Sequence, residues 1–294
     1  MKNGLKKLSV IVAAAVLAAT SLAIASCGKK VDPVKEPDIL VKKETTIYAD
    51  STFRMEYTYK YDEDGKLIEK VEESEESSDR ETVKSIYTYV GDLLATKENF
   101  HLKEDGSWDP SFVHTNGYDA NGNLVLTMGY SVEDGVKELF AVDIFEYNDK
   151  GLEVKYSSYI VDEGDLNVSI VVEMEYDDKG QEIKEKYYEY DFLTEEVVFS
   201  SYYVITYNAD GTEKEMKCYT AEDELLTVAR FTYDDKGNLT LSQTYELLED
   251  GTERIFVETV SEYDSDNRLV KDSTYYFNEE TEKKELQYYT TYEY

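Results

Sequence analysis

The most abundant side chains with a potential for chemistry are 64 carboxylates, which outnumber the 31 Lys and Arg side chains and give a formal net charge of −33. Turns of the form Asp-x-Asp-Gly, such as Asp62–Gly65, carry the oxygen ligands that calcium uses. Calcium prefers about six to eight oxygens, and a single short turn supplies too few. We therefore expect these carboxylates to shape turns and to keep the chain soluble, with calcium at the acidic turns as a less favoured alternative.

Catalysis has weaker support in this sequence. A glycosidase-type carboxylate pair is neither visible nor excluded among so many acids, and no nucleophile motif, phosphate-binding glycine loop or metal-ligand cluster is recognisable. Cys218 shares a strand face with Met216, which predicts a buried structural thiol. We predict a protein that is not an enzyme and holds no cofactor or metal.

One segment collects side chains that are rare elsewhere in the chain. Between Phe100 and Thr115 lie the only Trp, Trp108, and both His residues, His101 and His114. An exposed Trp suits a sugar ring or the centre of a protein interface, whereas a long turn whose Trp folds back on the sheet is the plainer interpretation. We take Trp108, His101 and His114 as candidate ligand contacts.

The N-terminus has the parts of an export signal. Lysines precede the apolar run Leu8–Ala19, and Ile24-Ala25-Ser26-Cys27 follows it. This end resembles the lipobox of bacterial lipoproteins, which implies cleavage before Cys27 and lipid attachment to its thiol; an uncleaved membrane helix is the alternative. We predict a signal peptide over 1–26, a lipidated Cys and flexible tether over 27–45, and export to a bacterial membrane, at the cell surface or on the periplasmic side.

The composition excludes several classes of protein. A surface this acidic repels phosphates, so nucleic acid is not an expected partner. Two Cys and two His are too few for a disulfide framework or a typical zinc domain. Hydrophobic residues make up 41% of the chain, which is enough for a folded core.

Residues 46–294 repeat one unit about eight times. Each unit has a Tyr, usually an Asp or Asn after it, and a Gly four residues after the Tyr, with a period of about 29 residues. Asp, two further residues and Gly predict a type I turn with a left-handed bulge, a conformation that Asn also tolerates. The eight tyrosines, which we call the anchor tyrosines, are Tyr61, Tyr89 (a degenerate copy), Tyr118, Tyr147, Tyr176, Tyr207, Tyr233 and Tyr263, where Asn267 replaces Gly.

Apolar residues alternate between these turns, as in Val168, Ile170, Val172, Met174 and Tyr176, which we expect to share one face. A second polar turn in each unit makes every repeat a hairpin. We therefore predict an all-β, antiparallel up-and-down meander of about 16 strands. Open sheets rarely exceed ~10 strands, so this sheet must coil, fold into two layers or close. We expect a curled or two-layered sheet in a single domain over 46–294.

The turn motif resembles the YD repeats of the RHS family. The Tyr-Asp, Gly-Asn-Leu and Gly-Arg-Leu pieces of that family match Tyr118–Leu124, Tyr233–Leu239 and, in part, Tyr263–Leu269. The family builds long curling strips of β-sheet, so the resemblance implies a curling sheet here. The longer period and the second acidic turn in each unit depart from the family, and a role in toxin delivery is not carried over.

These features favour a membrane-anchored exported lipoprotein that acts as a non-enzymatic binding module for a glycan or protein partner. An acidic envelope scaffold or spacer without a small ligand is the alternative, and a hydrolase with an unrecognised carboxylate pair is the third. A membrane barrel is disfavoured, because Gln181–Asp191 has charges on both faces and each Lys or Arg facing lipid near the midplane costs ~2–4 kcal/mol. Tyr pairs such as Tyr202 and Tyr203 place one ring on each face, either as structural ladders or as an aromatic platform.

Overall fold

The computed structural model describes residues 40–49, 53–76, 79–191, 194, 196–248, 250–278, 281 and 283–294. The predicted signal peptide, the predicted lipid site Cys27 and most of the predicted tether lie outside these residues. Within the described part of the chain, no helix is long and apolar enough to cross a membrane.

The described residues form eighteen β-strands in chain order. They are β1 (Lys43–Tyr48), β2 (Arg54–Tyr61), β3 (Leu67–Glu76), β4 (Asp79–Val90), β5 (Leu93–Leu102), β6 (Trp108–Tyr118), β7 (Leu124–Glu133), β8 (Val136–Tyr147), β9 (Glu153–Asp162), β10 (Asp165–Tyr176), β11 (Glu182–Asp191), β12 (Glu196–Tyr207), β13 (Glu213–Thr220), β14 (Leu225–Tyr233), β15 (Leu239–Leu247), β16 (Glu253–Tyr263), β17 (Leu269–Asn278) and β18 (Lys283–Glu293).

The sheet closes into a barrel. Each strand pairs antiparallel with the next strand along the chain, and β1 pairs with both β2 and β18. The predicted all-β antiparallel meander is confirmed, but the predicted curled or two-layered sheet is wrong. The strand number rises from about 16 to 18 because β1 and β18 flank the eight repeated hairpins. The first strand begins at Lys43, inside the segment predicted as a tether.

Regular β-bulges explain the closure. At the third anchor turn Gly117 pairs with Leu126 and Tyr118 with Leu124, so Val125 is an extra residue. The register shifts in the same way after all eight anchor turns. A second bulge lies in each even-numbered strand from β6 to β18. Bulges bend a strand and increase its twist, so their repetition curves the sheet steadily until β18 meets β1.

The second bulge also changes which residues share a face. In β10 the pairing partner of Val168 is Tyr159 and that of Ile170 is Ser158, with Ser169 as the extra residue. The expectation that Val168 shares the face of Ile170 and Tyr176 is therefore wrong. Simple alternation fails here because the extra residue shifts the pleat by one position.

The anchor turns have the predicted geometry. The N–H of Gly122 donates to the Asp119 carbonyl at 3.1 Å, and the N–H of Asp119 donates to the Asn123 carbonyl at 2.9 Å. Gly122 has φ +85°, the left-handed conformation that a side chain disfavours. Asn267, which replaces Gly in the last unit, adopts φ +67°. The type I turn with a left-handed bulge is therefore confirmed.

The anchor tyrosines tie each hairpin to the one before it. The Tyr147 hydroxyl donates to the Leu124 carbonyl at 2.8 Å, where the β7–β8 ladder has ended. The same type of bond forms around the barrel from six other anchor tyrosines, which are Tyr61, Tyr89, Tyr118, Tyr176, Tyr207 and Tyr263. Tyr294, which is not an anchor tyrosine, forms it as well. Except at Tyr61, whose acceptor Val41 precedes β1, each hydroxyl satisfies a carbonyl beside a bulge. Each of these bonds contributes ~1 kcal/mol net.

The face that carries the anchor tyrosines is the inside of the barrel. The main apolar cluster, which consists of Tyr203, Ile205, Met216, Cys218 and Ala229, lies on this face. Burial raises the pKa of carboxyl groups there, as in Glu44, Glu153 and Glu213. The outer face carries ion pairs such as Lys186–Glu175 at 2.5 Å and Lys217–Glu215 at 2.8 Å.

The inner face lines a space rather than filling it. Eighteen strands spaced ~4.8 Å apart give a round ring at least ~27 Å across. Among the described residues, the ring contacts and hydrogen bonds of this face join strands at most two positions apart. We call the end with the anchor turns the anchor end and the opposite one the far end. Both the start of β1 and the end of β18 lie at the anchor end.

Candidate functional site

A cavity of about 650 Å³ opens on the inner wall at the far end. It lies between the turns that join β5 to β6 and β7 to β8. Phe112 and Val136 supply apolar surface, and their side chains are 39% and 68% exposed. Hydrogen-bonding groups surround them, from His101, Asp109, Ser111, Ser131, Glu133 and Glu138. Ligand pockets in proteins typically measure ~300–1,000 Å³, so this cavity has room for a small ligand.

The structure separates the three candidate contacts. His101 lines the cavity, and its Nδ1 lies 3.2 Å from Glu81 Oε1. His114 lies deeper on the same wall, with its ring edge toward Phe140 at 6.3 Å between centroids. Trp108 is on the outer face, where the Lys84 ammonium sits 4.2 Å from the centre of its ring. The structure therefore brings the two His residues to one wall and does not bring Trp108 together with them.

A bulge at Ser111 causes this separation. Phe100 pairs with Pro110 and Asn99 with Phe112, so Ser111 is an extra residue that puts Trp108 and Phe112 on opposite faces. Trp108 thus points outward, whereas Phe112 and His114 point inward. Sequence reasoning missed Phe112 and Phe140, whose rings meet edge to face at 5.7 Å, because alternation alone places Phe112 with Trp108.

A second inner-wall feature is a group of carboxyls at the anchor end. Glu153, Glu182 and Glu213 pair with successive anchor tyrosines, at the position where the other five units have Leu. Burial and then the adjacent Glu185 carboxyl raise the pKa of Glu182 to about 9. Glu182 Oε1 is buried and accepts no hydrogen bond from the described residues. The Tyr187 hydroxyl donates to Glu185 Oε2 at 2.7 Å.

This carboxyl group does not match the geometry of a glycosidase. Glu182 and Glu185 lie within hydrogen-bonding reach of each other. Retaining enzymes hold their two carboxyls ~5 Å apart and inverting enzymes farther, with room for a sugar or water between them.

The carboxylates of the acidic turns accept hydrogen bonds from the backbone of their own turn. Asp119 Oδ1 accepts backbone N–H bonds from Asn121 at 2.8 Å and from Asn123 at 2.9 Å. The Asn123 hydrogen bonds lower the pKa of this carboxyl. Corresponding bonds form at Asp62, Asn148, Asp177, Asp234 and Asp264. Among the described residues, no group of three or more His, Cys, Asp or Glu side chains is placed to hold a metal ion.

The aromatic rings of the outer wall form a ladder. The rings of Tyr202 and Tyr219 stack at 4.9 Å with an interplanar angle of 11°, and Phe199 continues the stack at 6.2 Å. The Lys184 ammonium lies 4.2 Å from the centre of the Tyr202 ring. Since neighbours cover the faces of these rings, they stabilise the sheet through cross-strand packing.

Cys218 is 1% exposed and packs in the apolar cluster on the inner face. Burial raises the pKa of its thiol to about 11. The burial of Cys218 confirms the prediction of a buried Cys, and a thiol that resists ionisation is expected to be unreactive.

No protein-family model matches this chain, and no curated protein does. Several solved structures share some likeness with it. A porin-like protein from Bacteroides uniformis is 11% identical, with 87% of this chain and 98% of that protein covered and a TM-score of 0.44. A porin-like protein from Bacteroides vulgatus is 12% identical, with coverage of 87% and 99% and a TM-score of 0.34.

A chain in the TcdB2-TccC3-Cdc42 structure is 13% identical over 82% of this chain, with a TM-score of 0.39, and this protein spans only 14% of its length. All three TM-scores are under 0.5, so these likenesses carry no argument about function. The predicted lipobox and the resemblance to YD repeats stay predictions.

Proposed function

We propose that this chain is an exported, lipid-anchored binding protein that holds a glycan in the cavity at the far end of its barrel. The observation that carries this proposal is the makeup of the cavity. Exposed apolar surface on Phe112 and Val136 suits the C–H face of a sugar ring, and carboxylate and hydroxyl groups around them suit its hydroxyls.

The position of the first described residue is consistent with the proposed anchor. The first described residue, Leu40, packs beside the anchor turn, with its Cδ1 3.6 Å from where a Cβ on Gly65 would lie. A tether from Cys27 then reaches the barrel at its anchor end. The cavity lies at the other end and so faces away from the membrane.

A thermal-shift screen against cell-wall, dietary and mucin glycans tests the binding proposal. A ligand at a hundred times its Kd adds ~2.7 kcal/mol of stability, which raises the melting temperature by a few degrees for a chain of this size. Phe112→Ala should weaken binding about fivefold to tenfold, since one aromatic contact is worth ~1–1.5 kcal/mol. Phe199→Ala, which removes the same ring from the outer wall, should leave binding unchanged.

Equal loss of binding in both Phe variants would refute the assignment of the cavity. Absence of a shift with every glycan would favour the scaffold or a protein partner instead. Fatty-acid labelling tests the anchor separately: Cys27→Ser should abolish both labelling and retention in the membrane fraction, and continued labelling would refute lipid attachment at Cys27.

A further inference from the structure

The inner wall carries an unpaired lysine below the far-end cavity. Lys97 on β5 pairs in register with Tyr87 on β4 and with His114 on β6, both of which face the inside of the barrel. Basic side chains of the outer wall make ion pairs, such as Lys155 with Glu146 at 3.4 Å. Among the described residues, Lys97 has no ion pair or hydrogen bond.

Two more basic groups share this part of the wall. Lys70 on β3 faces the same space, with its ammonium 4.1 Å from the centre of the Tyr57 ring and 3.7 Å from Glu72 Oε2. Burial and then the charge of Lys70 lower the pKa of Lys97. Burial and then the charge of Lys97 lower the pKa of His114. The Glu72 carboxylate offsets part of the repulsion between Lys70 and Lys97, and Asp143 acts in the same way on His114. Since Glu72 forms its ion pair with Lys70, an anion bound beside Lys97 would relieve the remaining repulsion.

This basic group is continuous with the cavity. The Phe112 ring meets Phe140 at 5.7 Å, the His114 ring meets Phe140 at 6.3 Å, and Lys97 is the cross-strand neighbour of His114. Along β5, Lys97 is four residues from His101, or ~13 Å deeper into the barrel. A short oligosaccharide that starts in the cavity is long enough to reach Lys97.

We propose that the glycan held in the far-end cavity is acidic, and that Lys97, with Lys70 beside it, pairs with the carboxylate of a uronic acid residue. This inference rests on the proposed binding function and narrows its ligand class. Lys97 recognises charge, whereas Phe112 and Val136 contact the sugar ring, so the two contributions are separable by mutation.

Isothermal titration of the full-length chain in detergent with trigalacturonic acid tests the inference. The matched probe is the same trisaccharide with its carboxyls reduced to hydroxymethyl groups. The acidic probe should bind at least about tenfold more tightly than the reduced one. Lys97→Met should remove this preference and leave binding of the reduced probe unchanged, whereas Lys97→Arg should retain it. Lys155→Met, which removes a lysine from the outer wall, should bind both probes as the original protein does.

Two results would overturn the inference in distinguishable ways. Equal binding of the two probes with dependence on Phe112, or an unchanged acid preference in Lys97→Met, would refute recognition by Lys97 and leave glycan binding in the cavity intact. Absence of binding by either probe would refute this inference and also count against glycan binding.

Discussion

Replacement of Glu182 by Gln should stabilise the barrel, and the gain should grow with pH. The Glu182 carboxyl is held on the inner wall beside Glu185, with Glu153 and Glu213 on the flanking hairpins. Burial and the negative charges of these neighbours keep the Glu182 carboxyl protonated in the folded state. Gln has the same shape and is neutral at every pH, so the variant has no proton to retain.

The size of this stabilisation follows from the shift in the pKa of Glu182. The unfolded chain releases this proton near 4.5, whereas the folded barrel holds it up to about 9. Between these values the folded state binds more protons, so its stability falls as pH rises. One pKa unit corresponds to ~1.4 kcal/mol, so the full shift corresponds to ~6 kcal/mol of unfolding free energy. Water in the open interior screens the carboxyl, which reduces the expected loss of unfolding free energy to ~2–3 kcal/mol.

Urea unfolding between about pH 5 and about pH 9 measures this difference. The free energy of unfolding of Glu182→Gln minus that of the original protein should rise across this interval. Glu175→Gln on the outer wall is the matched control, and it should destabilise the barrel by an amount that stays constant across this interval. Its hydrogen bond to Lys186 lowers the pKa of Glu175, so this carboxylate stabilises the fold above pH 4.5 and that stability is lost as pH falls. Parallel pH profiles for Glu182→Gln and the original protein would refute the reasoning.

Three further outcomes are expected. Cys218 should resist thiol reagents in the folded protein and react after unfolding, because its thiol is buried with a pKa raised to about 11; rapid labelling of folded protein would contradict the packing. Tyr263→Phe should lower the free energy of unfolding by ~1 kcal/mol, since the Leu239 carbonyl loses its donor at 3.0 Å, and a denaturation curve without a shift would show that this bond adds nothing. Gly237→Ala at φ +85° should cost ~1–2 kcal/mol, whereas Asn267→Gly should change stability little, because relief of the positive φ offsets the loss of two exposed side-chain hydrogen bonds to Asn238; similar melting shifts for the two variants would refute the turn assignment.

Local features were predictable because they depend on neighbours along the chain. The turn at Asp119–Gly122 follows from a carboxylate that caps nearby N–H groups and a Gly that accepts positive φ. The period of the repeat predicted identical hairpins, and the alternation of apolar residues predicted antiparallel strands. The burial of Cys218 followed from its strand face.

The candidate site was only half predictable. His101 and His114 were found as rare side chains in one segment, and both lie on the inner wall near the cavity. Trp108 was placed with them because alternation carries no sign of the bulge at Ser111. Lys97 was missed because nothing in its local sequence distinguishes it from the lysines that form ion pairs on the outer wall.

By itself, the sequence determined the unit: a hairpin with an anchor Tyr, a capped turn and strands with one apolar face. Only the tertiary structure decided that eighteen strands close into a ring. The reason is that closure depends on the sum of small bends at many bulges, and each bulge is a feature of pairing between strands rather than of one strand. The positions of these bulges also determine which side chains face the interior of the barrel, and therefore which residues a ligand inside it can contact.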